Sequence, residues 1–240
     1  MQAKRNFEIF SLMLHLDVQA VNSVIVENQN LSVFWKWILE HSTSLTHPYH
    51  NMRHTMEMMQ LMLDIYNKTH NSPEYYNMSI SEEDLYILMV SAMFHDFSHS
   101  GGILSDKENV EIAIASMETC LRNFLMQSQE TEMIIEECRN VIRATQYPYV
   151  IPDSDLTLRQ RIIRECDILV VFFDDVIIQS ITGLKTEMRK SSWGEFMASY
   201  LQFIYETTQK FQLKYSIDIV QKHGEELTKT MENFLKIFKR

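Results

Sequence analysis

The sequence predicts an all-α fold, and three observations carry that prediction. Gly occurs 5 times and Pro 4 times in 240 residues, too few for a turn-rich β architecture. Met, at 16 copies, together with abundant Leu, Ile, Glu and Gln, favours helix. Apolar residues recur at helical rather than alternating spacing along most of the chain. No Pro/Gly/Ser-rich linker, internal repeat or low-complexity tract breaks the pattern, so residues 1-240 are expected to form a single domain.

The elements follow in order. MQAKRNFEIFSLMLHLDVQAV opens with two basic residues and an apolar stretch, but Glu8, His15 and Asp17 interrupt it. Phe7, Phe10 and Leu14 keep helical spacing, which predicts an amphipathic helix over 6-28 rather than a signal peptide. Further helices are expected over 31-42, 51-70, 81-97, 107-127, 130-145, 156-172, 174-190, 193-214 and 217-238. Ser79 to Asp84 offers an N-cap followed by acids that favour the helix dipole, and Asp153-Ser154-Asp155 offers the same before Arg161 to Val171. Turn chemistry is confined to a few connections: Thr46-His47-Pro48, Asn71-Ser72-Pro73, Ser100-Gly101-Gly102 and Tyr147-Pro148 to Pro152.

Totals exclude several functions. A formal net charge of -10 argues against a nucleic-acid duplex or an anionic membrane as partner, though small anions can bind where metal cations supply positive charge. No run of eighteen apolar residues is present, so no transmembrane helix is expected. Cys120, Cys138 and Cys166 form no CxxC pair and are odd in number. They read as buried thiols of a cytoplasmic protein. A homodimer is compatible with the sequence but not required by it.

The chemistry is concentrated in two histidine clusters. HPYHNMRH carries His50 and His54, which on a helix are i and i+4 and share one face. FHDFSHSGG carries His95, Asp96 and His99 at the end of the nearly uninterrupted apolar run ILMVSAMF. A bare charge there is costly unless paired or metal-bound, and imidazole with carboxylate suits Zn, Fe, Ni or Mn. A third element, RECDIL, places Asp167 in an apolar surround. Pairing with Arg143, Arg161 or Arg164 would explain it without a metal.

The ordered set YHNMRH (49-54), FHDFSHSG (94-101), VIRATQYPY (141-149) and RECDIL (164-169) resembles the HD-domain metal-dependent phosphohydrolases. Within them it is most similar to the catalytic domain of the class I cyclic-nucleotide phosphodiesterases. The resemblance spans about residues 47-170. It implies that His54, His95, Asp96 and Asp167 hold a first divalent ion, Zn or else Fe or Mn, and that Asp96 bridges to a second, Mg or Mn. It implies that His50 is the general acid for the departing oxygen and that His99 lies around the second ion's water or the phosphate. Tyr49 and Asn51, from the first signature, fall on the substrate side. The implied activity is hydrolysis of a phosphodiester in a cyclic nucleotide or related small nucleotide. Such chemistry has a physical logic: two ions sharing a carboxylate neutralise the phosphate and activate water, while an imidazole near neutral pKa protonates the leaving alkoxide.

Some residues depart from the family's pattern. The glutamine and phenylalanine that hold the base have no convincing counterpart; Gln202, Gln209 and Phe211 are the candidates, against the alternative that aromatics at helical spacing are core. Gln146 stands where the family has an acid, which removes a charge near the second ion. After Gly101 the chain continues GILSDKEN, in which Glu108 and Asn109 either approach the metal waters or form an exposed helix start. A nucleotide phosphatase acting on monophosphates and a degenerate non-catalytic nucleotide-binding protein are the alternatives.

Overall fold

The computed structural model describes residues 18-75, 78-172, 174-188 and 192-238. Its regular elements there are helical throughout, as the composition predicts. They are α1 (Val18–Glu27), α2 (Gln29–His41), α3 (Met52–Asn71), α4 (Glu82–Phe94), α5 (Asp106–Phe124), α6 (Gln129–Arg143), α7 (Leu158–Leu169), α8 (Asp174–Met188), α9 (Trp193–Thr208) and α10 (Lys214–Phe238). Short 3-10 turns occupy Pro73–Tyr75, Asp153–Asp155 and Val170–Phe172. Residues 6-17 of the expected N-terminal helix lie outside the described residues.

Helix α4 is the centre of the fold. Ile87 through Phe94 are all buried, and the helix packs against α2, α3, α5, α6 and α7. A helix surrounded on every side needs apolar residues on every side, which is why its sequence shows no polar face. Its start is fixed by a capping box between Ser81 and Asp84. Helix α3 packs against α4 and α7 and buries the methionine-rich stretch Met56 to Leu63. Unbranched thioethers fill this irregular contact.

Several boundaries differ from the sequence reading, each for a local reason. The helix expected over 81-97 stops at Phe94, because the chain turns through His95–His99 with Ser98 at φ 54. The Asp153–Asp155 signal forms a 3-10 turn, and α7 is capped instead by Thr157 with Gln160. The helix expected over 193-214 ends at Thr208. Buried Glu165 accepts from the backbone N–H groups of Gln212 and Leu213, which holds the link to α10 in place. Among the described residues no helix is long and apolar enough to cross a membrane. All three cysteines are buried free thiols, and burial pushes Cys120 and Cys138 up to about 12.

Candidate metal centre

Four elements deliver the site. The link from α2 to α3 brings Tyr49 and His50, and the first turn of α3 brings His54. Asn51 caps α3: its side-chain oxygen accepts from Arg53 N and His54 N, and its amide donates to the His47 carbonyl at 2.7 Å. The Asn51 side chain is thereby committed to the helix start. The turn after α4 supplies His95, Asp96 and His99. It is clamped by the α2–α3 link, with Ser98 N donating to Ser42 Oγ, Thr43 N to Ser98 Oγ and Ser44 Oγ to the Asp96 carbonyl. Asp167 arrives from the last turn of α7.

Their donor atoms converge. His54 Nε2 lies 3.3 Å from His95 Nε2, 3.5 Å from Asp96 Oδ2 and 3.0 Å from Asp167 Oδ1. His95 Nε2 lies 3.1 Å from Asp96 Oδ2 and 4.0 Å from Asp167 Oδ1. Donors held about 2.1 Å from one ion stand about 3.0 Å apart at octahedral right angles and about 3.4 Å apart at tetrahedral ones. The observed edges bracket both values. Asp167 falls outside the group of donors (His54, His95 and Asp96) that all lie within 4.8 Å of one another, so it approaches the imidazole pair from a different side than Asp96.

Proton placement at the cluster also fits an ion. His95 Nδ1 lies 2.8 Å from the Ala92 carbonyl, so that nitrogen donates and leaves Nε2 as a lone pair facing the centre. Asp96 Oδ2 is a buried oxygen with no hydrogen-bond partner. Arginine does not neutralise Asp167 here. Among the described residues, Arg164 pairs with Asp153, Arg161 donates to the Asp153 carbonyl and Arg143 pairs with Glu111. Asp167 faces histidines instead.

A second group, His50, Asp96 and His99, also has donors all within 4.8 Å of one another. The His50 and His99 rings stack at 3.6 Å. His50 is anchored from behind by Glu187, whose Oε2 lies 2.5 Å from His50 Nδ1 and whose Oε1 accepts from Tyr49 N and His50 N. Burial pushes the His50 pKa down, but Asp96 and the Glu187 hydrogen bond outweigh it and leave it raised. Burial and the neighbouring His50 depress His99 to about 4. His99 Nδ1 accepts from Gly101 N at 3.2 Å, and its Nε2 lies 3.0 Å from Asn109 Nδ2. Burial lowers His95 too, yet Asp96 and Asp167 carry it to about 9.

Sequence reasoning missed two acids. Glu187, among lysine and arginine in LKTEMRK, reads as a solvated helix face yet is 5 % exposed. A usable signal was Gly183 one turn before it, since an isolated glycine inside a helix usually has a packing reason. A Cβ at Gly183 would meet the Pro48 carbonyl oxygen at 2.3 Å, so only glycine lets α8 lie against the His50 loop. Asp106, the first residue of α5, places Oδ1 4.0 Å from His99 Nε2, while its Oδ2 accepts from Tyr147 N at 2.5 Å. Of the pair left open between metal waters and helix start, Glu108 is exposed and completes the capping box with Ser105. Asn109 is buried and turned onto His99.

The expected base-holding residues stand elsewhere. Gln202 is exposed and donates to Glu206, and Gln209 is the exposed C-cap of α9. Phe211 lines a separate cleft of about 310 Å³, partly continuous with solvent, with Arg161, Arg164 and Lys210. Among the described residues no hydrogen bond or ring contact joins these three to the histidines. Tyr49 does pack there, its ring 5.0 Å from that of His54.

What the geometry defines is an all-helical fold carrying His/Asp groups that could hold metal. No protein-family model matches the chain, and no curated protein matches it.

Proposed function

We propose that this chain is a two-metal phosphohydrolase of the HD-domain type that cleaves a phosphodiester bond in a cyclic nucleotide or related small nucleotide. One observation carries the reading: His54, His95 and Asp96 bring donor atoms to 3.1–3.5 Å of one another, a spacing that suits one divalent ion, and Asp167 Oδ1 adds a carboxylate 3.0 Å from His54 Nε2. When bound, the ions would neutralise the phosphate and make water a competent nucleophile at neutral pH. The chain's own residues do the rest. His54, His95, Asp96 and Asp167 would hold a Zn, Fe or Mn ion, with Asp96 shared toward a Mg or Mn ion beside His50 and His99.

His50 is the proton donor to the leaving oxygen. Glu187 fixes its Nδ1–H, so the opposite nitrogen is presented to the site, and its raised pKa keeps the proton available near neutral pH. His99, kept neutral, stacks on His50 and limits its rotation. Tyr49 walls the pocket beside both histidines of its signature.

The test is metal analysis of purified protein followed by a panel of cyclic mononucleotides, cyclic oligonucleotides and nucleoside monophosphates. Hydrolysis of a diester, abolished by chelation and by Asp96→Asn, is the expected result. Release of phosphate from monophosphates alone would make the protein a nucleotide phosphatase. Nucleotide binding without turnover would make it a retired enzyme, and a metal-free, inactive protein would overturn the reading.

A further inference from the structure

The proposed second ion would have only one carboxylate, Asp96, among its nearest groups, and Gln146 contributes no charge. A single carboxylate beside two imidazoles, one of them the proposed proton donor, is a poor home for Mg or Mn, which favour oxygen donors. The structure places another acid at this spot. Asp106 Oδ1 is 4.0 Å from His99 Nε2, and the carboxylate is within electrostatic reach of Asp96 and Asp167. Its other oxygen is fixed by Tyr147 N, the residue directly after Gln146. Ser105 and Glu108 cap α5 around it, so its backbone is anchored at the site mouth. Among the described residues its hydrogen bond is to a backbone N–H, its ion-pair contact is the long one to His99, and His50 attracts it through space.

We infer that Asp106 is the second ion's additional carboxylate, restoring from the start of α5 the charge that Gln146 lacks, and that at 4.0 Å from His99 it acts by holding the ion's water. This rests on the two-metal reading and adds a residue to it. Asp106 is a positioning residue, and its role is in ion affinity before turnover.

The experiment is titration of chelator-stripped protein with Mn²⁺, followed by calorimetry and by the electron paramagnetic resonance signal of free Mn²⁺, for the wild type, Asp106→Asn and Asp106→Ser. The serine variant keeps a good helix-start residue should the amide disturb folding, and circular dichroism reports the fold of each. Wild type is expected to take up two ions per chain, one tight and one weaker. Both variants should keep the tight ion and bind the weaker one about 10- to 100-fold less well, the range seen when an outer partner of a metal site is lost. Weaker-site affinity within twofold of wild type in a folded variant overturns the inference and leaves the two-metal reading standing. Uptake of a single ion by wild type overturns the inference and the two-metal reading together, leaving a one-metal centre, and uptake of none overturns the metal centre as well.

Discussion

At the scale of single residues, the site is a set of charges that need one another. Asp96 and Glu187 raise the His50 pKa against the cost of its burial. Replacing Glu187 by Gln removes part of that support, so the His50 pKa falls. An acid catalyst is lost as pH rises through its pKa, so the alkaline limb of the rate profile should move to lower pH in the Glu187→Gln enzyme. An unmoved limb would assign the limb to another group. His50→Ala should cut turnover by about 10²- to 10⁴-fold, the usual worth of a positioned proton donor, with metal content unchanged. Loss of metal in that variant would make His50 a ligand. These residues differ in how legible they were. His54, His95 and Asp96 announce themselves by spacing. Asp167 was ambiguous until its arginine neighbours were seen engaged elsewhere. Glu187 was missed, because a glutamate between cations looks solvated and its one sequence signal, Gly183 a turn earlier, points to close packing without naming the partner.

At the scale of elements, close approach of α8 to the α2–α3 link is what converts Glu187 from surface to site. Gly183→Ala tests this with a sign that decides. On an open helix face, alanine for glycine stabilises by about 1 kcal/mol. Here the added carbon would sit 2.3 Å from the Pro48 carbonyl oxygen, so α8 must move away. Overpacking of this kind costs about 1–3 kcal/mol, and the expected net effect is destabilisation together with a loss of turnover resembling Glu187→Gln. A more stable and fully active Gly183→Ala protein would show that the contact is loose. Helix α4 makes a second case. Leu88 is fully buried at the centre of five packed helices, so Leu88→Ala should cost about 2–5 kcal/mol by denaturant unfolding. The sequence located α4 well, because its caps and apolar run are local. It mislaid the end of α4 and the break after α9, because the turn at Ser98 and the Glu165 bonds to Gln212 and Leu213 are set by distant contacts.

At the scale of the whole molecule, the cluster couples stability to pH and to metal. In metal-free protein the folded state holds His95 at about 9, above its ordinary value near 6.5. The native state therefore binds more protons than the unfolded one between those pH values, and stability falls as pH rises across that window. His99, at about 4, works the other way: between about 4 and 6.5 the unfolded state binds more protons, so stability falls as pH falls. The metal-free thermal midpoint should be highest near pH 6.5. A bound ion needs unprotonated His95, so metal should remove the alkaline loss. At a thousandfold excess over Kd it should also add about 4 kcal/mol. Melting curves from pH 5 to 9 with and without chelator measure both effects, and identical curves would contradict a metal centre at these residues.

The sequence by itself determined the all-helical class, the order and rough extent of the helices, and the clusters of histidine and aspartate that could hold a metal. Those properties rest on local periodicity, caps and short spacings, which are written into neighbouring residues. Tertiary structure alone decided that Asp167 faces histidines rather than arginines, that Glu187 lies against His50 and Asp106 near His99, and that Gln202 bonds Glu206 while Phe211 lines a cleft with Arg161 and Arg164. Each of these depends on which helices touch, and contact between residues a hundred positions apart follows from the packing of the whole chain around α4.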